Sequence, residues 1–500
     1  MVLKRSSLAG LRVLLAGGCV LLAGCRVGPD YLLPHVPQSQ DYAQRSLLQQ
    51  RKDPLPAPPL DAWWQGFADP QLIRIEQRVL GQNLDMAASL ARVQQARAVA
   101  AYNQALRLPS GALEGQAVRQ RQSLYSPEGE LASAFPGYDR NQTLENLGAA
   151  ASWETDLAGG LRRGQEAAEA EFQAAVASDL GVRVSVAAEA ADAWFRYRGA
   201  QQRIAIAQEQ IETEQRLLSI VNDRIQRGLG TLREQAEAQA LVEQAQATVP
   251  PLRTESSLQL NRLDVLMGVA PGSSEKELAS VVPDPMLLPI QTPALGDIAG
   301  PAQLMRRRPD VIAAERQLAA SNARIGQALA QYYPDVSLSG LLGFESLASG
   351  QLFSSAAFQP QAVLGLHWRL FDFGRVDAEV VQARGANAQA LAQYRLAMLR
   401  ATEDVENAIV ILVQLQRQRQ HVDREVAAHQ VARAAAEQAY DAGVAPLIEV
   451  LGEDRQLLVS RDQQAQLRAQ DARSIVAAFR ALGGGWQGSG EQSAGSTAVR

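Results

Sequence analysis

W-E-T-D-L-A-G-G (residues 153–160) is answered 215 residues later by W-R-L-F-D-F-G-R (residues 368–375). Each octet opens on Trp and stands where a β-like run gives way to a helical one. Gly228 and Gly443 repeat the offset of 215, as do Met267-Gly268 and Leu482-Gly483. Upstream, Pro109 pairs with Pro334, and Leu84-Asp85 with Pro309-Asp310, at an offset of 225. A chain that repeats its punctuation at this scale holds two copies of one structural unit. The change from 225 to 215 falls between the Pro and the Trp. The first hairpin loop is therefore expected to be ten residues longer than the second.

Beyond each octet lies a run of 67 positions without Pro, Leu161 to Arg227 and Arg375 to Asp441. At ~1.5 Å per residue each would be a helix about 100 Å long. Shorter helical runs cover Pro70 to Leu108, Thr231 to Leu266, Ala299 to Tyr333 and Pro446 to Leu482. Two of these end to end match one long helix, so four can flank two. Pro250-Pro251 is expected to break the second of them. The apolar fraction of 47% leans on Ala, and small side chains let long helices pack closely. With a net charge of −5, there is no basic surplus for nucleic acid. Four His in 500 residues argue against a metal enzyme.

Before each octet lie two candidate strands: Ala112 to Gln122 with Gln142 to Glu154, and Asp335 to Phe344 with Phe358 to Leu370. The third alternates clearly, with Val336, Leu338, Gly340 and Leu342 on one face and Ser337 and Ser339 on the other. Trp153 and Trp368 at strand ends suit either an interfacial aromatic belt or a core. Strands of this length cross a membrane when tilted. Four strands cannot close a barrel, and an open edge cannot face lipid. If they enter a membrane, the working unit is an oligomer, of eight strands from two copies or twelve from three.

At the N-terminus, Lys4, Arg5 and Arg12 precede an apolar run from Val13 to Leu22, too short to span a bilayer and read as a signal peptide. It ends in Leu22-Ala23-Gly24-Cys25, which resembles a bacterial lipobox, implying lipidation of Cys25. Arg26, where Asp would favour inner-membrane retention in such lipoproteins, implies delivery to the outer membrane. Cys19 and Cys25 are the only cysteines, so the mature chain has no disulfide framework. Pro29 to Pro59 reads as an extended strap. The expected organisation is a signal segment (1–24), a strap (25–68), a first repeat (69–281), a Pro-rich connector (282–298), a second repeat (299–485) and a flexible tail (486–500).

No grouping points to catalysis. There is no G-x-x-x-x-G-K-[ST], no Ser/His/Asp set and no isolated carboxylate pair. His421 and His429 are two turns apart but too few for a metal site. Thr155 and Asp156 read as helix caps. Arg306 to Arg308 stand at a helix start, where three cations oppose the dipole and call for a specific contact.

The whole pattern resembles the TolC-like and OprM/NodT-like outer-membrane efflux factors. It is carried by C-R-V-G-P-D-Y (25–31), R-R-R-P-D-V (306–311) with Glu315, Ile325-Gly326-Gln327-Ala328, Tyr333-Pro334 and F-D-F-G-R (371–375). The resemblance implies a mainly α, internally duplicated fold with a β-barrel part: a homotrimer whose twelve-stranded barrel stands on a periplasmic α-helical barrel. It implies a passive, gated, non-enzymatic duct without cofactors, bar lipid on Cys25. Its partners would be a periplasmic membrane-fusion adaptor and a proton-driven inner-membrane transporter. The periplasmic gate would fall at Tyr440, Ile448, Glu449 and Glu453; Gly452 departs from the usual Asp, leaving Glu453 or Asp454 to replace it. The turns at Gly228, Gly230 and Gly443 would meet the adaptor, although Gly228 and Gly443 read equally as C-caps. The alternatives are the exit duct of a protein secretion system, a coiled-coil lipoprotein without a pore and, remotely, a hydrolase.

Overall fold

The computed structural model describes residues 26–35, 39, 41–48, 56–275, 295 and 300–487. The signal segment, Cys25, most of the connector and the end of the tail lie outside the described residues. The first half runs α1 (Pro70–Gln82), α2 (Leu84–Ala105), β1 (Ser110–Arg121), β2 (Asn141–Glu154), α3 (Gly160–Gln226), α4 (Leu232–Ala247) and α5 (Val249–Leu266). The second runs α6 (Pro301–Arg307), α7 (Pro309–Ala330), β3 (Asp335–Ser346), β4 (Phe358–His367), α8 (Arg375–Asp441) and α9 (Leu447–Ala481). The two offsets persist in the element bounds. β3 begins and ends 225 residues after β1, and α8 begins and ends 215 after α3.

Three of the four shorter runs are broken. Thr248 separates α4 from α5, with Pro250 in the first turn of the new helix, where a missing N–H leaves no bond unmade. Asn83 separates α1 from α2: its side chain accepts from Met86 N–H and donates to the Leu266 carbonyl. Arg308 separates α6 from α7. The hairpin loops span 122–140 and 347–357, so only eight of the ten extra residues lie in the first loop. That loop carries a short helix, Pro127–Ser133, capped by Ser126.

The strap is not extended throughout. Arg45–Leu48 forms one helical turn, and Leu60–Phe67 a 3-10 helix that buries Trp63, Trp64 and Phe67. By its contacts the chain divides into two compact units. One gathers the described parts of His35–Val93, Ala175–Ala313 and Tyr394–Arg500. Its core joins those aromatics to Leu72, Trp194, Leu263, Leu412 and Phe479, with Trp63 stacked on Phe479 at 5.5 Å. Small residues bring α3 and α9 together: a Cβ on Gly199 would lie 2.7 Å from that of Ala469. Arg203–Asp462 and Arg473–Asp192 ion pairs flank the contact. The other unit gathers the described parts of Met1–Pro34, Gln94–Ala174 and Ala314–Gln393, including the sheet. That sheet is antiparallel throughout, in the order β1-β2-β3-β4.

Candidate functional site

The strand register sorts the sheet into two faces, since side chains alternate along each strand. Leu113 lies beside Ala149, Ala149 beside Leu342, and Leu342 beside Pro360. Along that face run Leu147, Ala151, Leu338, Phe344, Ala362, Leu364 and Leu366, giving way to Arg119, Arg121, Thr143 and Glu145 towards the first hairpin loop. Leu113, Leu342, Leu364 and Leu366 are all more than 60% exposed. The opposite face carries Glu114, Gln116, Asn146, Ser152, Ser337, Ser339, Gln359 and Gln361, interrupted by Val118, Leu144, Leu341 and Val363. A hollow of about 360 Å³ opens on this second face, lined by Ser110, Glu114, Ser152, Ser339 and Gln361 among others. The polar face is therefore concave and the apolar one convex. A contiguous exposed apolar face is costly in water and suits lipid. Among the described residues, the outer edges of β1 and β4 have no strand beside them. Alternation was legible in β3 alone, because Gly111, Gly115, Ala117, Ala149 and Ala151 carry little hydropathy.

Trp153 and Trp368 are not core residues of the single chain. Each ties down the turn that follows the helix before its hairpin: Trp153 Nε1–H donates to the Arg107 carbonyl, and Trp368 Nε1–H to that of Tyr332, both at 3.0 Å. Asp156 caps α3 through Leu161 and Arg162 N–H, and Asp372 caps α8 through Val376 N–H.

The segment after Cys25 is clamped beside the sheet. Arg163, wholly buried, donates to the carbonyls of Val27 (3.0 Å) and Gly28 (2.8 Å) and to Asp30 and Glu166. Arg26 and then Arg163 hold the Asp30 carboxyl below its usual range. Val27 N–H donates to the Ala158 carbonyl, and Tyr31 to Glu315. Gly28 takes φ +88° against Gly326, where a side chain on either would collide. Several short motifs noted in the sequence are thus one contact. Arg163 was missed because its partners in the strap lie more than 130 residues away.

The run of three arginines ends a helix and does not begin one: Arg306 and Arg307 lie in the last turn of α6, where cations suit the dipole, and Arg308 is its C-cap. Arg308 forks onto Asp310, reaches Asp404 at 2.8 Å and bonds the Ala481 carbonyl, tying the starts of α7 and the end of α9 to α8. Burial opposes its charge, and these carboxylates overcome that and raise its pKa.

The two helical turns differ. Gly228 (φ +71°) and Gly443 (φ +72°) both end their helices in a Schellman arrangement, with Leu229 N–H on Arg224 O and Val444 N–H on Ala439 O. After Gly228 the chain re-enters a helix through a capping box of Thr231 and Glu234, whose Thr231 N–H bond lowers the Glu234 pKa. A Cβ on Gly230 would press on Ile225. After Gly443 the entry is Pro446, with no side-chain cap. Around this second turn Tyr440, Ile448 and Glu449 are exposed. Glu453 lies 3.8 Å from His429, and Asp454 pairs with Arg433 at 2.6 Å, a hydrogen bond that raises the arginine pKa. Gly452 has open space where a side chain would stand.

The family profile for outer membrane efflux proteins matches residues 75–269 and 300–484, one stretch in each half. The chain belongs to that family. It is 32% identical over 436 residues to the pyoverdine export outer membrane protein OpmQ of Pseudomonas putida, covering 86% of this chain and 89% of that one. It is 27% identical to the outer membrane protein OprJ of Pseudomonas aeruginosa, over 93% and 94% of the two chains. The solved outer-membrane channel OprN superposes with a TM-score of 0.76 at 31% identity, over 92% of this chain and all of that one. The Campylobacter jejuni CmeC channel superposes at 0.81 with 20% identity, over 94% and 97%, and shows the fold alone. The chain is an outer-membrane efflux channel of the TolC-like fold, reaching into the periplasm as the outer-membrane part of an efflux pump. No helix among the described residues is long and apolar enough to cross a membrane.

Proposed function

We propose that three copies of this chain close their sheets into one twelve-stranded barrel and conduct small molecules passively across the outer membrane. The two-faced sheet with both edges open carries this reading. Three copies leave an aqueous lumen, whereas an eight-stranded barrel fills with its own side chains. The duct has no catalytic role and no cofactor. Cys25 bears the lipid, and the strap clamp beside the sheet holds its acyl chains near the barrel. One chain alone anchors marginally, and the barrel supplies the rest.

The turn from Tyr440 to Glu453 forms the periplasmic gate, with Ile448 and Glu449 facing the axis. Three Glu449 carboxylates would attract cations. A membrane-fusion adaptor meets the turns at Gly228, Gly230 and Gly443 and links the duct to a proton-driven inner-membrane transporter. Relatives are named for pyoverdine export, toluene efflux and cation efflux. Their spread supports a duct for small toxic molecules or secreted metabolites, with selection made in the pump. Planar-bilayer recording tests this. Discrete conductance, with cation preference reduced in Glu449→Gln, is expected. Absence of any channel, in wild type and in Tyr440→Ala, would overturn it.

A further inference from the structure

The two hairpins share a frame but differ at one border. Arg119 faces Thr143 across β1–β2. Advancing 225 positions from Arg119 gives Phe344, and 215 from Thr143 gives Phe358; these two face each other across β3–β4. The same two seats hold an aromatic pair in one hairpin and a basic residue beside a hydroxyl in the other. Phe344 packs on Phe358 with ring centroids 5.6 Å apart, and on Phe353 at 5.7 Å.

Both pairs stand ten residues along a strand from a tryptophan, Thr143 from Trp153 and Phe358 from Trp368. Ten residues rise about 34 Å along a strand, or about 26 Å along the axis of a barrel whose strands tilt by about 40°. The apolar band of an outer-membrane barrel is about 25 Å tall and is edged by aromatic residues on both sides. The tryptophan end of the sheet joins α2, α3, α7 and α8, which carry the chain towards the periplasm. The hairpin-loop end is therefore the outer border, and Arg119 stands at its level.

The convex face is apolar up to that border. On β1, Gly111, Leu113, Gly115 and Ala117 lead to Arg119 and Arg121; on β2, Ala151, Ala149 and Leu147 lead to Glu145, Thr143 and Asn141. Both arginines are exposed, and neither has a hydrogen bond or ion pair among the described residues. Glu145 is the one acid on this face among the described strand residues, and it lies diagonal to Arg119, so the border keeps a net positive charge. A guanidinium on the lipid face is costly at the bilayer midplane and nearly free at the border. Its forked donors match a phosphate group.

We infer that Arg119 and Arg121 seat the phosphate groups of a phosphorylated glycolipid of the outer leaflet, whose acyl chains lie along the apolar face beneath them. This rests on the membrane-spanning barrel of the preceding section and adds a lipid site to its outer wall. The arginines stand on the face away from the polar hollow, so a solute in the lumen does not meet them. Thr143 opposite Arg119 and Asn141 opposite Arg121 place a hydroxyl and an amide beside the two cations. Such neighbours suit sugar hydroxyls, which a phospholipid head of the glycerol type offers sparsely. The second hairpin fills the equivalent seats with Phe344 and Phe358, so each copy carries one such site.

Native mass spectrometry of the full-length, detergent-extracted protein tests the site. The probes are bis-phosphorylated lipid A, the same lipid without its phosphates, and phosphatidylglycerol. Wild type is expected to hold bis-phosphorylated lipid A at least tenfold more tightly than either of the others. R119Q/R121Q should weaken that binding about thirtyfold, as expected for two basic groups at an anionic surface. R119K/R121K, which keeps the charge, should recover most of it, and R369Q, which removes a cation at the opposite border, should match wild type. If the double variant does not assemble, R119Q and R121Q singly should each cost about fivefold. Phosphatidylglycerol or dephosphorylated lipid A binding as tightly as the bis-phosphorylated form overturns the inference. So does wild-type binding by R119Q/R121Q, or an equal loss in R369Q. Light scattering and single-channel conductance separate the two readings. Any of these results in multi-chain, conducting particles overturns the lipid site alone, whereas single-chain, silent wild-type particles overturn the barrel and the site together.

Discussion

Replacing Arg163 with Met keeps most of the side-chain volume and removes every donor. The guanidinium holds the Val27 and Gly28 carbonyls at 3.0 and 2.8 Å from a wholly buried position. Hydrogen bonds from a charged group are worth about 1.5–3 kcal/mol each, so the pair contributes roughly 4 kcal/mol to docking of the strap. At 1.4 kcal/mol per decade, the docked population should fall about a thousandfold relative to the free one. Hydrogen exchange reads this at Val27, whose N–H bonds the Ala158 carbonyl. The peptide covering residues 26–34 should exchange about a thousandfold faster in Arg163→Met, while the α3 peptides keep their protection. Unchanged protection of residues 26–34 would show that the strap is held by other contacts and refute the clamp.

Glu76 is buried with neither oxygen hydrogen-bonded among the described residues. Burial pushes its pKa well above the usual value, against the pull of Arg183. The folded state then holds a proton that the unfolded state releases, so stability falls as pH rises above about 4.5. Glu76→Gln should raise the melting temperature at pH 8 and leave it nearly unchanged at pH 4; an equal shift at both pH values would contradict the assignment. Trp153→Phe and Trp368→Phe each remove one indole bond to a carbonyl. Losses of about 1 kcal/mol, similar in the two variants, are expected in denaturant titration of the extracted protein. Gly443→Ala places a Cβ at positive φ and should destabilise the turn by about 1–2 kcal/mol. Raised proteolysis near residue 443 would report this, and wild-type resistance would count against a strained turn.

The long helices and the duplication were legible because Pro, Gly and Trp mark element ends whatever surrounds them. Breaks that depend on distant partners were not. Asn83 interrupts a helical run only because the Leu266 carbonyl and the Met86 N–H are there to receive it. The 3-10 helix at Leu60–Phe67 was hidden by Pro-rich surroundings, although Trp63-Trp64 offered a core signal. The sheet's two faces needed the register, since Gly, Ala and a few charged residues break the apolar pattern of β1 and β2. The arginine run was read as a helix start, but it ends α6, and the partners of Arg308, Asp404 and the Ala481 carbonyl, lie far along the chain. Glu449 and Tyr440 are exposed in a single chain, and their proposed role exists only between copies.

The central claim is that the concave polar face lines a water-filled pore while the convex face meets lipid. Single-channel recording with a charged, thiol-reactive reagent addresses it directly, using Gln361→Cys and Leu364→Cys in turn. Gln361→Cys should lose conductance in three discrete steps, and Leu364→Cys should match wild type. Stepwise block of Leu364→Cys, or no block of Gln361→Cys, would contradict the account.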